Sequence, residues 1–284
     1  MSDAFSYDVV DYPSLIHPQM HPSRLAAIAR LHGIHAASPK ACQLLEVGCG
    51  DGLQLLTLAM AYPQSRFIGV DLSAAAISRG EAMRNRLGLH NLRLVAADLL
   101  EWNPGPEPYD YIVAHGFYSW VPGIVRGRLL QLCGERLADT GIAYVSYNAM
   151  PGCHLRRMVW DMMRFHVRDI TMPAERAEEA RSFLEWLATN TIGKPVYGDS
   201  LRLEAANLLN RTNASVLYHD DLAEINAPFS ISDFMDGASR SGLRFLAEAD
   251  YSESRDEMLD DDVRAHLQAL SGGTSSRRSS TWIS

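Results

Sequence analysis

Positive charge is scarce in this sequence. Its 284 residues hold 26 Lys and Arg against 34 Asp and Glu, a formal net charge of −8 at pH 7. Phosphate backbones are bound by basic surfaces, so this balance argues against a nucleic-acid partner unless a local basic patch exists. Cysteine is sparse as well: the four, at 42, 49, 133 and 153, lack the paired spacing of a metal site. No metal is expected, and reduced thiols suit a cytoplasmic protein. No apolar run reaches membrane-spanning length, and Met1-Ser2-Asp3-Ala4 carries no basic-then-apolar leader. The expectation is a cytosolic protein with no membrane partner. A phosphate loop ending in Gly-Lys-Ser/Thr is missing. The third glycine of the dinucleotide fingerprint is also missing, since Leu53 stands in its place, and this disfavours a nicotinamide-dependent oxidoreductase.

What the sequence does have is an ordinary globular composition, 47% hydrophobic and 21% charged, and the length for one α/β domain plus an addition. Its organising stretch is Leu44-Leu45-Glu46-Val47-Gly48-Cys49-Gly50-Asp51-Gly52. A short apolar run ends in an acid, glycine then takes every second position, and residues 53–61 follow with helical spacing. This pattern predicts buried strand, tight turn and helix, a place where ligand atoms meet turn amides and a helix N-terminus. The alternative is a β–α turn with no ligand. Phe67-Ile68-Gly69-Val70-Asp71-Leu72-Ser73 is a second buried strand ending in an acid, 23 residues beyond Gly48. Asp71 can accept from both ribose hydroxyls of an adenosine. Leu92-Arg93-Leu94-Val95-Ala96-Ala97-Asp98-Leu99 is a third, although Asp98 also suits a turn or helix cap.

Strands at 109–115 and 142–147, with helices at 74–86 and 125–137, continue the alternation and imply a doubly wound, mainly parallel sheet. Gly48, Asp71, Asp98, His115 and Tyr147 then lie at strand carboxyl ends, where ligands bind in such sheets. Ahead of the first strand, Tyr7, Tyr12, His17 and His21 stand among prolines, followed by a helix over 23–32. Beyond 150 the alternation stops. Helices at 155–170, 174–191 and 201–210 form an insertion, after which a helix at 231–241 and a sixth strand at 243–249 return to the sheet. An acidic run at 256–262 leads into a short helix. The Ser/Gly-rich tail, 271–284, reads as disordered or as a late strand around 280–283.

The glycine stretch resembles the first motif of the seven-stranded S-adenosylmethionine-dependent methyltransferases. Further strings are Tyr12-Pro13-Ser14…His21-Pro22, His115-Gly116-Phe117-Tyr118-Ser119-Trp120-Val121-Pro122, Tyr144-Val145-Ser146-Tyr147-Asn148 and Tyr218-His219…Asn226…Pro228-Phe229. Together they resemble bacterial methyltransferases with a methyltransferase regulatory domain, a group that includes rickettsial protein-lysine methyltransferases. The resemblance runs from about 5 to 255, and members of the group are usually longer. It implies an α/β, doubly wound, seven-stranded Rossmann-like sheet. Its divisions are an N-terminal lid (1–43), the S-adenosylmethionine-binding core (44–150), a helical insertion opening the regulatory or substrate domain (151–228), a return to the sheet (229–270) and the tail.

It also implies S-adenosylmethionine as donor, with S-adenosylhomocysteine as product. Candidate cofactor residues are Glu46, Gly48, Cys49, Gly50, Asp71, Leu72, Asp98, Leu99 and His115, with Asp98 facing the adenine amino group. Methyl transfer from a sulfonium is an in-line displacement, so the protein positions the acceptor and manages its proton. His115 is the expected base, with Tyr118 and Tyr147 beside it. Tyr12, His17, His21, Trp120, Asn148 and His219 are the candidate acceptor-side residues, against plain packing or helix-capping roles. The acceptor is expected to be a protein lysine or a small molecule. The Asn/Asp-Pro-Pro-aromatic string of enzymes that methylate base amines is absent. A cofactor-binding partner protein without turnover is the alternative.

Overall fold

The computed structural model describes residues 13–190, 193, 195–211, 214–250 and 260–271. They form two compact units, Ser14–Tyr147 with the chain from Phe229 onward, and Asn148–Pro228.

The first unit is built on β1 (Gln43–Val47), β2 (Arg66–Asp71), β3 (Leu92–Ala96), β4 (Tyr109–Ala114) and β5 (Leu137–Val145), all parallel, in the order β3-β2-β1-β4-β5. β1 lies at the centre, with Leu44 opposite Phe67 of β2 and Tyr111 of β4. Its side chains alternate between two separate apolar clusters. Leu44 joins Phe67, Tyr111 and Ile142, while Leu45 and Val47 join Val70 and Ile112. A strand buried on both faces needs helices on both sides, which explains its unbroken apolar run. A helix α1 (Pro22–Leu31) precedes the sheet, and the crossing helices are α2 (Leu53–Ala61), α3 (Ala74–Arg86) and α4 (Gly123–Arg136). Ser73 caps α3, its hydroxyl accepting from Ala76 N at 3.1 Å. His21 caps α1 by accepting from Ser23 N through Nδ1 at 3.2 Å.

Three expectations need correction. The sheet has five strands among the described residues, not seven. The expected sixth strand, 243–249, makes no ladder with β5. Leu246 and Ala249 pack on the core, and the Ala249 carbonyl accepts from Arg24 Nε at 2.8 Å. Third, β5 begins at Leu137 directly after α4, with no intervening turn at Gly141. A register shift between Tyr109 and Tyr111 absorbs the extra length. Gly141 sits inside this irregularity, where a Cβ would stand 2.9 Å from Leu137 Cδ2 and 3.0 Å from the Ala138 backbone. The late strand expected at 280–283 lies outside the described residues.

After Phe229 the first unit continues with the helices Ile231–Arg240 and Asp261–Ser271. The second unit is helical: His154–His166, Pro173–Thr189 and Pro195–Arg211 enclose Trp160, Met163, Leu184, Leu187, Leu201 and Leu208. A π-helical turn, Leu217–Asp221, closes its core. No helix among the described residues is long and apolar enough to cross a membrane.

Candidate active site

The strand order reverses between β1 and β4, so the crevice at their carboxyl ends is where a ligand fits such a sheet. The turn after β1 lies there. Gly48, Gly50 and Gly52 have φ of 74°, 57° and 73°, a region that side chains other than glycine enter at a cost of roughly 1–2 kcal/mol each. Built this way, the turn folds back on β2: Gly48 N donates to the Val70 carbonyl at 2.9 Å, and Gly50 N to Asp71 Oδ2 at 2.8 Å. The second Asp71 oxygen accepts from Ser73 N at 2.8 Å. Asp71 therefore ties the glycine turn to the start of α3.

Glu46 is the outlier in this arrangement. It is 6% exposed, and its Oε2 is buried with no partner among the described residues. Burial, and then the nearby charges of Asp71 and Asp51, hold its carboxyl well above the usual carboxylate range. Cys49, pressed beneath the same turn, has its thiol pushed up by burial and by Glu46. Three acidic side chains thus converge on one glycine turn.

Leu99 is buried among Val47, Val70 and Ile112. Asp98 holds a turn, its Oδ1 accepting from Leu100 N at 2.9 Å. Leu72 points outward and is 53% exposed.

Over the glycine turn lies the segment preceding α1. Ser14 Oγ donates to Asp51 Oδ2, and His17 N donates to Gln54 Oε1 at 3.0 Å. The His17 ring stacks on His115 at 3.7 Å. His115, at the end of β4, has Nδ1 2.8 Å from the Tyr144 hydroxyl. Burial first, and His17 second, lower its pKa to about 4, so it is neutral near pH 7.

The other candidates lie elsewhere. His21 is the cap of α1 and meets Tyr62 edge-on. Tyr118 is buried against Phe229 and Phe234, and Tyr147 stacks on Phe234 at 4.5 Å, so both belong to an aromatic cluster. Burial raises both phenols. Trp120 ends a 3-10 turn, and its indole nitrogen is buried without a partner among the described residues. Asn148 and His219 belong to the helical unit. There Asn148 Nδ2 donates to Asn226 Oδ1 at 2.8 Å, and His219 is buried beside Tyr218. Tyr12 lies outside the described residues.

The sequence reading gave no role to Ser14, Gln54, Tyr144, Ser146 and Gly80. Ser14, Tyr144 and Ser146 stood within the strings that carry the family resemblance, and Gly80 was a lone glycine within a helical pattern. A Cβ on it would come within 2.1 Å of the Asp51 carbonyl oxygen, so its absence lets α3 seat against the turn.

This sheet order and glycine turn define a Rossmann-like methyltransferase fold. Residues 45–143 match the methyltransferase domain family, and residues 213–280 match the "predicted methyltransferase regulatory domain" family. Uncharacterized protein RP028 of Rickettsia prowazekii is 30% identical over 86% of this chain and 98% of its own length. RP789 of the same organism is 35% identical over 89% of this chain, which spans 46% of that protein. PKMT2 from Rickettsia typhi, solved in complex with AdoHcy, superposes with a TM-score of 0.84 at 29% identity, over 94% of this chain and 52% of its own. The chain thus spans about half the length of two of these three relatives. It belongs to the S-adenosylmethionine-dependent methyltransferase family whose members join a methyltransferase domain to a methyltransferase regulatory domain.

Proposed function

We propose that this chain is a cytoplasmic methyltransferase that moves a methyl group from S-adenosylmethionine to the side-chain amine of a protein lysine. The carrying observation is the unpartnered Glu46 oxygen, buried beside Asp71 and Asp51 under a glycine turn. A dinucleotide brings phosphates, which the Asp71 and Asp51 carboxylates repel. S-adenosylmethionine brings an ammonium and a sulfonium, which they attract. AdoHcy in the Rickettsia typhi structure supports the same donor here.

In this reading Gly48 and Gly50 admit the amino-acid end and the Asp71 carboxylate accepts from the ribose hydroxyls. Leu99 borders the adenine. Residues 14–17 serve as a cover over the turn, and the helical unit serves acceptor docking. The bound donor supplies a sulfonium methyl for in-line displacement, and the chain's residues orient the acceptor and exclude water. Membership of an enzyme family disfavours the silent partner protein.

Calorimetric titration of the purified chain with S-adenosylmethionine and S-adenosylhomocysteine tests the first half. Micromolar binding is expected, and a folded sample giving no heat with either would sink it. Mass spectrometry of lysine-rich proteins incubated with enzyme and donor tests the second. Methyl adducts confined to carboxylates or hydroxyls would overturn the lysine assignment.

A further inference from the structure

A chain of polar groups runs behind His115. Gly116 N donates to Ser146 Oγ at 2.8 Å, Ser146 is hydrogen-bonded to the Tyr144 hydroxyl, and that hydroxyl meets His115 Nδ1 at 2.8 Å. The rings of Tyr144 and His115 lie within 2° of parallel. The direction of the chain follows from what each bond favours. The Gly116 amide donates to Ser146 Oγ, and the Ser146 bond favours the ionised phenol, the sense of a bond that Ser146 donates to Tyr144. The charge of Arg24, held by the Ala249 carbonyl and Asp250, acts on Tyr144 in the same sense. A cation there favours the phenol oxygen's lone pairs and turns its hydrogen away, toward the imidazole. His115 Nδ1 is then an acceptor, and the ring proton resides on Nε2.

We propose that Tyr144 and Ser146 are positioning residues that fix His115 in its Nε2–H tautomer, so that this histidine acts as a hydrogen-bond donor and not as a base. The role deepens the methyltransferase reading and rests on it, because it names the acceptor class. An aliphatic hydroxyl needs a base at the site, whereas an amine that reaches the site deprotonated needs none. The low basicity of His115 and the raised Tyr144 phenol, at about 12, agree with this. His17, stacked on the ring, is the other histidine that acts on it.

The test begins without any cofactor. In protein labelled with nitrogen-15 histidine, the His115 signals are identified by their loss in His115→Gln. Protonated and bare ring nitrogens resonate in separate regions, so the tautomer is read directly. The expected spectrum shows protonated Nε2 and bare Nδ1 at neutral pH, a mixture of tautomers in Tyr144→Phe and a smaller change in Ser146→Ala. Protonated Nδ1 in the wild type, or an unchanged spectrum in both variants, overturns the proposal. If Tyr144→Phe does not fold, the partly exposed Ser146→Ala carries the comparison. Turnover supplies a second readout. Glutamine keeps an N–H donor but no base, so His115→Gln is expected to stay within about tenfold of wild type. His115→Leu loses more. A loss of a hundredfold or greater in His115→Gln, the scale of a missing base, overturns the donor role. The tautomer is read on the free protein, so its failure is distinct from a failure of cofactor binding.

Discussion

Among the described residues two carboxylates are deeply buried, one in each unit; Asp221 Oδ2, like Glu46 Oε2, has no partner among the described residues, and the two differ in the charges beside them. Glu46, in the sheet unit, faces Asp71 and Asp51 and leaves an oxygen unpartnered. Asp221, in the helical unit, is 1% exposed, yet its Oδ1 accepts from Arg156 Nε and Nη2, at 3.2 and 2.8 Å, and from the Trp160 indole. Arg156 also lies over the Trp160 ring at 5.2 Å. Burial still outweighs these partners and raises the Asp221 carboxyl. A carboxylate buried with its own cation holds helices together. One buried among other acids is a cost in the free protein, and a cationic ligand recovers it.

The largest expected effect tests the structural half of this contrast. Asp221→Ala strands Arg156 and removes the bond to Trp160, and should destabilise the protein by about 3 kcal/mol in denaturant unfolding. A loss under about 1 kcal/mol would mean that the pair contributes nothing net. Next is Asp71→Ala, which removes the ribose acceptor and the tie to Gly50. Cofactor affinity should fall on the order of a hundredfold by calorimetry, since bonds to a charged acceptor are worth about 1.5–3 kcal/mol each. Unchanged affinity would break the assignment of β2 to the ribose.

Glu46→Gln sharpens the contrast further, because two changes of opposite sign are expected. Cofactor affinity should drop about tenfold with the loss of one charged contact. The free protein should gain stability. A carboxyl whose folded pKa lies above its unfolded value favours the protonated folded state, so wild-type stability falls as pH rises past 4.5 toward the folded value. The glutamine variant lacks that fall, so melting curves between pH 4 and 8 should converge at the acid end. A variant less stable than wild type at pH 7 would contradict the ligand-free cost assigned to Glu46. The smallest effect concerns the cover. Ser14→Ala removes one bond to Asp51 and should speed cofactor release a few-fold in stopped flow, the scale of about 1 kcal/mol.

The glycine turn, Asp71 and the helix over 74–86 were legible because each is a local pattern, an apolar run followed by an acid, glycines and a cap. The five-strand sheet was less so. Residues 243–249 have strand composition, but whether a segment joins a ladder depends on residues distant in sequence, and here Ala249 meets Arg24, 225 residues away. His115 was legible as a residue of interest at a strand end, and its chemistry was not. Its neutrality comes from burial and from His17, and its tautomer from Tyr144 and Ser146, none of which its own segment announces.

By itself, the order of residues determined a parallel α/β core, a ligand turn after β1 and the acids at the strand ends, because these depend on the period of burial and on glycine's access to positive φ. Only the tertiary structure decided which buried carboxylate met a cation and which met other acids. Pairing is a matter of distance between groups that the chain brings together from far apart, and burial sets how much each unpaired charge costs.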